Sequence, residues 1–152
     1  MVSRVVPFTS ISLLKVVIDT NVLIAALRSQ NGASYQLLLM WDSDKSNAFI
    51  SVPLFTEYES VAKRLVVSHG LDITVIDDIL DYLCLVSSCR REIYYLWRPF
   101  LRDPSDDMVL ELAVAAECEF IVTFNQADFK GAEQFGIRVL TPKELLKLIG
   151  EL

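Results

Sequence analysis

Four stretches of this chain set oxygen-bearing side chains where they could do chemistry. In Ile18-Asp19-Thr20-Asn21 an acid directly follows an apolar run. Asp103-Pro104-Ser105-Asp106-Asp107 clusters three acids at the start of a helical pattern. Thr123-Phe124-Asn125-Gln126-Ala127-Asp128 is a polar loop after a second apolar run. Glu57 lies one helical turn after Pro53, near the start of another helical pattern. Each acid alone has an ordinary explanation: Asp19 can cap a helix, and Glu57, Asp106 and Asp107 can sit at the positive end of a helix dipole. Together they say more, because clustered carboxylates repel one another unless a cation neutralises them. Oxygen donors with no His or Cys partner suit Mg2+ or Mn2+ rather than Zn2+. Such cations, held by a few carboxylates, activate water and stabilise the leaving oxygen in phosphodiester hydrolysis.

Other schemes fit less well. The chain has no G-x-x-x-x-G-K-[ST] loop, no G-x-G-x-x-G and no G-x-S-x-G elbow. A phosphatase with an aspartyl nucleophile of the haloacid dehalogenase type wants D-x-D after its first strand, and here the second position is Asn21. The sole histidine, His69, sits beside Gly70 and reads as a solvated loop residue. Cys84, Cys89 and Cys118 match no zinc or disulfide framework and suit a reducing cytoplasm.

The elements that must position the acids read as one α/β pattern. Residues 15–18 (KVVI), 48–52 (AFISV), 120–123 (FIVT) and 137–140 (IRVL) are short apolar runs, as expected of strands buried on both faces. Helical signals cover 21–27, 34–41, 53 to about 66, 72–85 and 106–117. Thr141-Pro142-Lys143-Glu144 is a capping box that opens a last helix ending near Gly150. Residues 85–87 and 92–95 read as short strands or extended loops, and 125–133 as a loop with a helical turn. Alternating buried strands and helices predict a three-layer α/β/α fold with a central, mainly parallel sheet of four or five strands. Ligands bind such sheets at the carboxyl ends of the strands, where these acids fall.

A length of 152 residues suits one domain over 15–152, with residues 1–14 as a leader or edge element. Apolar residues make up 53%, enough for a folded core and for an exposed face that a second copy or a partner would cover. No run of 18–20 apolar residues reads as a membrane span. The net charge of −6 argues against a strongly basic nucleic-acid binder, but not against a nuclease whose acids hold cations. Candidate RNA contacts are Lys63-Arg64, Arg90-Arg91, Arg98 and Arg102. The aromatic group Tyr94, Tyr95, Trp97 and Phe100 either stacks bases or fills a core or interface.

At this point the residues resemble a known family. Asp19-Thr20-Asn21-Val22-Leu23-Ile24-Ala25-Ala26-Leu27 is similar to the opening motif of PIN domains, in particular those related to VapC toxins of toxin–antitoxin systems. Three further segments follow in family order: Ser51–Tyr58 with its Glu, Asp103–Ala113, and Phe120–Phe129. The likeness spans about residues 15–149. It implies a PIN-like parallel sheet sandwiched by helices, Mg2+- or Mn2+-dependent endonucleolytic cleavage of RNA, a cytoplasmic setting, a cognate antitoxin and a homodimer. Carried over by position, Asp19, Glu57 and Asp107 are the metal-binding and catalytic acids. Asp107 is preferred to Asp106 for its sixteen-residue distance to Thr123. Asp128 joins the catalytic set. Asn125 stands where many relatives have Asp and offers a carbonyl oxygen without charge. Thr20, Asn21, Asp106, Thr123 and Asn125 are supporting residues that orient the acids or cap helices. The competing reading is a catalytically weak or inactive PIN-type module that binds RNA or protein, motivated by Asn125 and the acidic balance.

Overall fold

The computed structural model describes residues 13–90 and 100–151. Most of the expected 1–14 element, and residues 92–95, lie outside them. Five strands form one sheet: β1 (Leu14–Ile18), β2 (Ser46–Ser51), β3 (Ser88–Arg90), β4 (Phe120–Val122) and β5 (Arg138–Leu140). Their order is β3-β2-β1-β4-β5 and every pairing is parallel. Six helices, α1 (Thr20–Arg28), α2 (Ala33–Leu39), α3 (Val52–His69), α4 (Ile73–Val86), α5 (Pro104–Ala115) and α6 (Pro142–Leu148), complete the α/β/α arrangement that the alternating pattern predicts.

Val16, Val17 and Ile18 of β1 and all of β4 are buried, as a central parallel strand requires. The chain steps outward from β1 to β2 and β3, then crosses back to β4 on the other side of β1. The order therefore reverses between β1 and β4, and the crevice above that switch point is where an open sheet of this kind binds ligands. Ile18 pairs with Val122, so Asp19 and Thr123 leave the sheet side by side.

Local signals explain the helix starts. Asp19 caps α1 through a hydrogen bond from Thr20 N (2.8 Å). Ser51 caps α3 at Leu54 N, with Pro53 in the first turn. Helix α5 starts at Pro104, two residues before the expected position, because the Asp103 side chain caps Ser105 N at 2.9 Å. The Thr141–Glu144 capping box forms as expected. Helix α4 runs through Val86, so the short strand falls at Ser88–Arg90 rather than at 85–87. His69 is the exposed last residue of α3, which Gly70 ends in the left-handed conformation (φ 67°). The expected loop after β4 holds two 3-10 turns, Gln126–Phe129 and Ala132–Phe135. Between them, Gly131 has φ 104°, and a Cβ there would lie 3.2 Å from the Phe100 ring. Among the described residues no helix is long and apolar enough to cross a membrane.

Candidate active site

Asp19 is buried, and both its oxygens are held. Oδ1 accepts from Thr20 N, and Oδ2 accepts from Thr123 Oγ1 at 2.8 Å. Thr123 is itself fully buried and fully used: its hydroxyl donates to Asp19 and accepts from Asn21 Nδ2 (3.2 Å) and Asn125 N (3.0 Å). Asn21 Oδ1 accepts from Phe124 N at 3.4 Å. This lattice ties the end of β1 to the loop after β4 and fixes one rotamer of Asp19.

Glu57 is brought to the same edge by α3. Thr20 Oγ1 donates to Glu57 Oε1. The adjacent Tyr58, fully buried, donates its hydroxyl to the carbonyl of Ile18. Its ring packs edge-on against Trp41 and Phe55. Burial, with Asp19 and Glu57 nearby, pushes the Tyr58 phenol well above its ordinary range, so it stays protonated and donating. Tyr58 was not among the residues singled out in the sequence. Its only signal there is adjacency to Glu57.

The two neighbouring acids of α5 part company. Asp107 is buried, and its Oδ1 accepts from Leu101 N at 2.7 Å, tying down the segment ahead of the helix. Asp106 instead lines a pocket of about 480 Å3 with Asp19, Asn21, Arg28, Glu57, Asn125 and Asp128. The structure thus brings Asp106, and not the expected Asp107, together with Asp19 and Glu57. The physical reason is helical: adjacent residues point about 100° apart, and the inward one is used by Leu101. Asp128 and Asn125 are exposed at the pocket rim.

The electrostatics are those of like charges held together. Burial pushes the Asp19 carboxyl up; hydrogen bonds from Thr123 and Thr20 oppose this, while Glu57 and Asp128 push the same way. Asp106 is pushed up to about 7, first by desolvation, then by Asp19, Asp103, Asp128 and Glu57. Among the described residues no three His, Cys, Asp or Glu side chains already stand close enough to hold a metal ion. The donor set nevertheless fits a hard divalent cation: it is all oxygen, and its carboxylates repel one another in a way that a cation would relieve. Asp19, Glu57, Asp106 and Asp128, which line the same pocket, are the residues that would hold it.

Of the candidate RNA contacts, Lys63 is paired with Glu59 at 3.0 Å. Arg64 and Arg102 line cavities beside the acid pocket. Phe100 packs edge-on against Phe135. Arg91, Tyr94, Tyr95, Trp97 and Arg98, and the Arg90 side chain, lie outside what the structure describes.

An all-parallel α/β/α sheet with a carboxylate pocket at its switch point defines the class of protein. Comparison with known families narrows it: the PIN domain profile matches residues 15–127, and the chain belongs to that family. Two solved structures share the fold. One is VapBC2 from Rickettsia felis bound to a DNA fragment from its promoter, at 13% identity and TM-score 0.55, covering 84% of this chain and 98% of that one. The other is a PilT N-terminus domain protein from the hyperthermophilic archaeon Sulfolobus solfataricus P2, at 13% identity and TM-score 0.52, covering 91% and 96%. A search of curated protein sequences finds no match.

Proposed function

We propose that the chain is a Mg2+- or Mn2+-dependent endoribonuclease acting at the pocket of Asp19, Glu57, Asp106 and Asp128. The observation that carries this reading is the convergence of these four acids at the switch point in a chain of the PIN family. When bound, the metal lowers the pKa of a water and neutralises charge on the departing 3′ oxygen. The protein's own groups supply the rest. Asp19 is held in one orientation by Thr20 N and Thr123 Oγ1, and Glu57 by Thr20 Oγ1. Asp106, whose carboxyl is pushed up to about 7 by desolvation and by the neighbouring acids, is the one whose charge a cation would relieve most. Asp107 serves the fold by accepting from Leu101 N.

The same proposal makes the chain the toxin of a toxin–antitoxin pair. Leu39, Val75 and Tyr82 are exposed around an apolar cavity between α2 and α4, which supports a covered face, in a homodimer or under an antitoxin. Incubation of mixed RNA with Mg2+ or Mn2+ tests the activity. Wild type is expected to cut and Asp19→Ala to be inert. Equal cleavage by the two would overturn the reading. Lack of cleavage together with lack of Mn2+ binding at millimolar concentration would favour the inactive binding module.

A further inference from the structure

Three concavities run into one another across the carboxyl edge of the sheet. The acid pocket is the middle one. On one side it shares Glu57, Val61 and Ser105 with a cavity of about 650 Å3 between α3 and α5. On the other it shares Asp103, Asp106 and Asp128 with a cavity of about 470 Å3 lined by Phe100 and Leu101. Through these shared lining residues the three make one groove with acids at its centre.

Basic side chains are scarce in this chain, and their distribution is uneven. Lys45 and Lys63 are ion-paired with Glu151 and Glu59. Lys15 and Arg138 lie over the rings of Phe49 and Phe120. Lys143 and Lys147 are exposed on α6, away from the groove lining and without an ion pair to another described residue. The other described cations all line the groove: Arg64 the larger cavity, Arg28 the acid pocket, Arg102 and Lys130 the third. All four are exposed, and none forms an ion pair with another described residue. Two are placed by helix periodicity. Arg28 follows Asn21, and Arg64 follows Glu57, by seven residues. That is two turns, about 10 Å along the same helix face. Because Cα–Cβ bonds tilt toward the helix N-terminus, both long side chains lean back toward the acids.

A net-acidic chain with four exposed, unpaired bases set on both sides of an acid pocket is shaped for a polyanion crossing that pocket. We propose that Arg64 on one side, and Arg102 with Lys130 on the other, grip the flanking phosphates of an RNA strand, while Arg28 faces the phosphate at the acids. This rests on the ribonuclease reading of the pocket and adds the track of its substrate.

Counterion release tests the track without relying on cleavage. A labelled single-stranded RNA is titrated with the full chain carrying Asp19→Asn, by fluorescence anisotropy over a series of salt concentrations. Each of Arg28→Gln, Arg64→Gln, Arg102→Gln and Lys130→Gln should flatten the slope of log K against log salt by about 0.7, the value for one phosphate contact on a single strand. Arg64→Lys should restore the slope. Lys63→Gln, next to Arg64 but paired with Glu59, should leave it unchanged. If the four variants keep the parent slope, or if Lys63→Gln flattens it equally, the track is wrong while RNA cleavage by wild type still stands. A wild-type chain that neither binds nor cuts the strand removes both readings.

Discussion

Helix α5 opens with Asp103, Pro104, Ser105 and Asp106, and α6 with Thr141, Pro142, Lys143 and Glu144. In each, a polar N-cap is followed by proline at the first helical position and an acid at the third. In α6 the acid completes a capping box. Thr141 N donates to Glu144 Oε1 at 2.8 Å, and this holds the carboxyl below its ordinary range. In α5 the cap is made by Asp103 alone, and Asp106 accepts no hydrogen bond from another described residue. Its side chain is one methylene shorter than that of Glu. It faces Asp19, Asp128 and Glu57, and its carboxyl is pushed up to about 7. The same local pattern thus yields one acid that stabilises its helix and one that is held at a disadvantage. The disadvantage makes sense if a cation completes the site.

The largest test of this contrast is catalytic. Asp106→Asn should lower metal-dependent RNA cleavage by about 100-fold or more, the upper end of what loss of even an outer partner of a metal produces. Glu144→Gln should cut at the wild-type rate. Equal rates for the two variants would erase the distinction. The neighbouring Asp107 sharpens it. Asp107→Ala leaves the buried Leu101 N–H without its acceptor and should cost about 1–3 kcal/mol in urea unfolding. Asp107→Asn, which keeps a carbonyl oxygen there, should recover most of that stability. If Asp107→Asn instead abolishes cleavage while staying stable, Asp107 and not Asp106 is the site acid.

The sequence carried most of the frame. The β1, β2 and β4 runs are short, apolar and bounded by polar residues, so the parallel sheet and its carboxyl edge were legible. So were the places of Asp19 and Glu57 at that edge and the Thr141 capping box. Which of Asp106 and Asp107 faces the pocket was not. Motif spacing aligns positions along the chain, whereas the choice between adjacent helical residues depends on which one a distant backbone group uses, here Leu101 N. The seven-residue offset of Arg28 from Asn21 is visible in the sequence, but its lack of an ion pair with another described residue is a property of the packed structure. Tyr58 reads as core, and only the fold reveals that its hydroxyl holds the last carbonyl of β1.

Metal-free stability gives a smaller test. The folded Asp106 carboxyl binds its proton more tightly than the unfolded one, whose ordinary value is 3.8. Its charge therefore costs nothing below pH 3.8, and the penalty grows with pH until it is complete above about 7. In chelator, Asp106→Asn should be more stable than wild type at pH 8 by about 1 kcal/mol, a figure discounted because the group is partly exposed to solvent. The gap should close as pH falls toward 4. Mn2+ should reverse the order, since at 100 times its Kd a ligand stabilises the state it binds by about 2.7 kcal/mol.

Glu144 should give the smallest effect and the opposite sign. Its carboxyl is held below the ordinary 4.5, so its contribution is present above that value and is lost as pH falls through the lower folded one. Glu144→Gln should therefore be slightly less stable than wild type at pH 7, by about 0.5 kcal/mol for an exposed group, and should match it in strong acid. Thermal melts of both variants from pH 3 to 8 would read the two slopes side by side. If Glu144→Gln gained stability with rising pH as Asp106→Asn does, the shared features of the two helix starts, and not the acids facing Asp106, would be setting its charge.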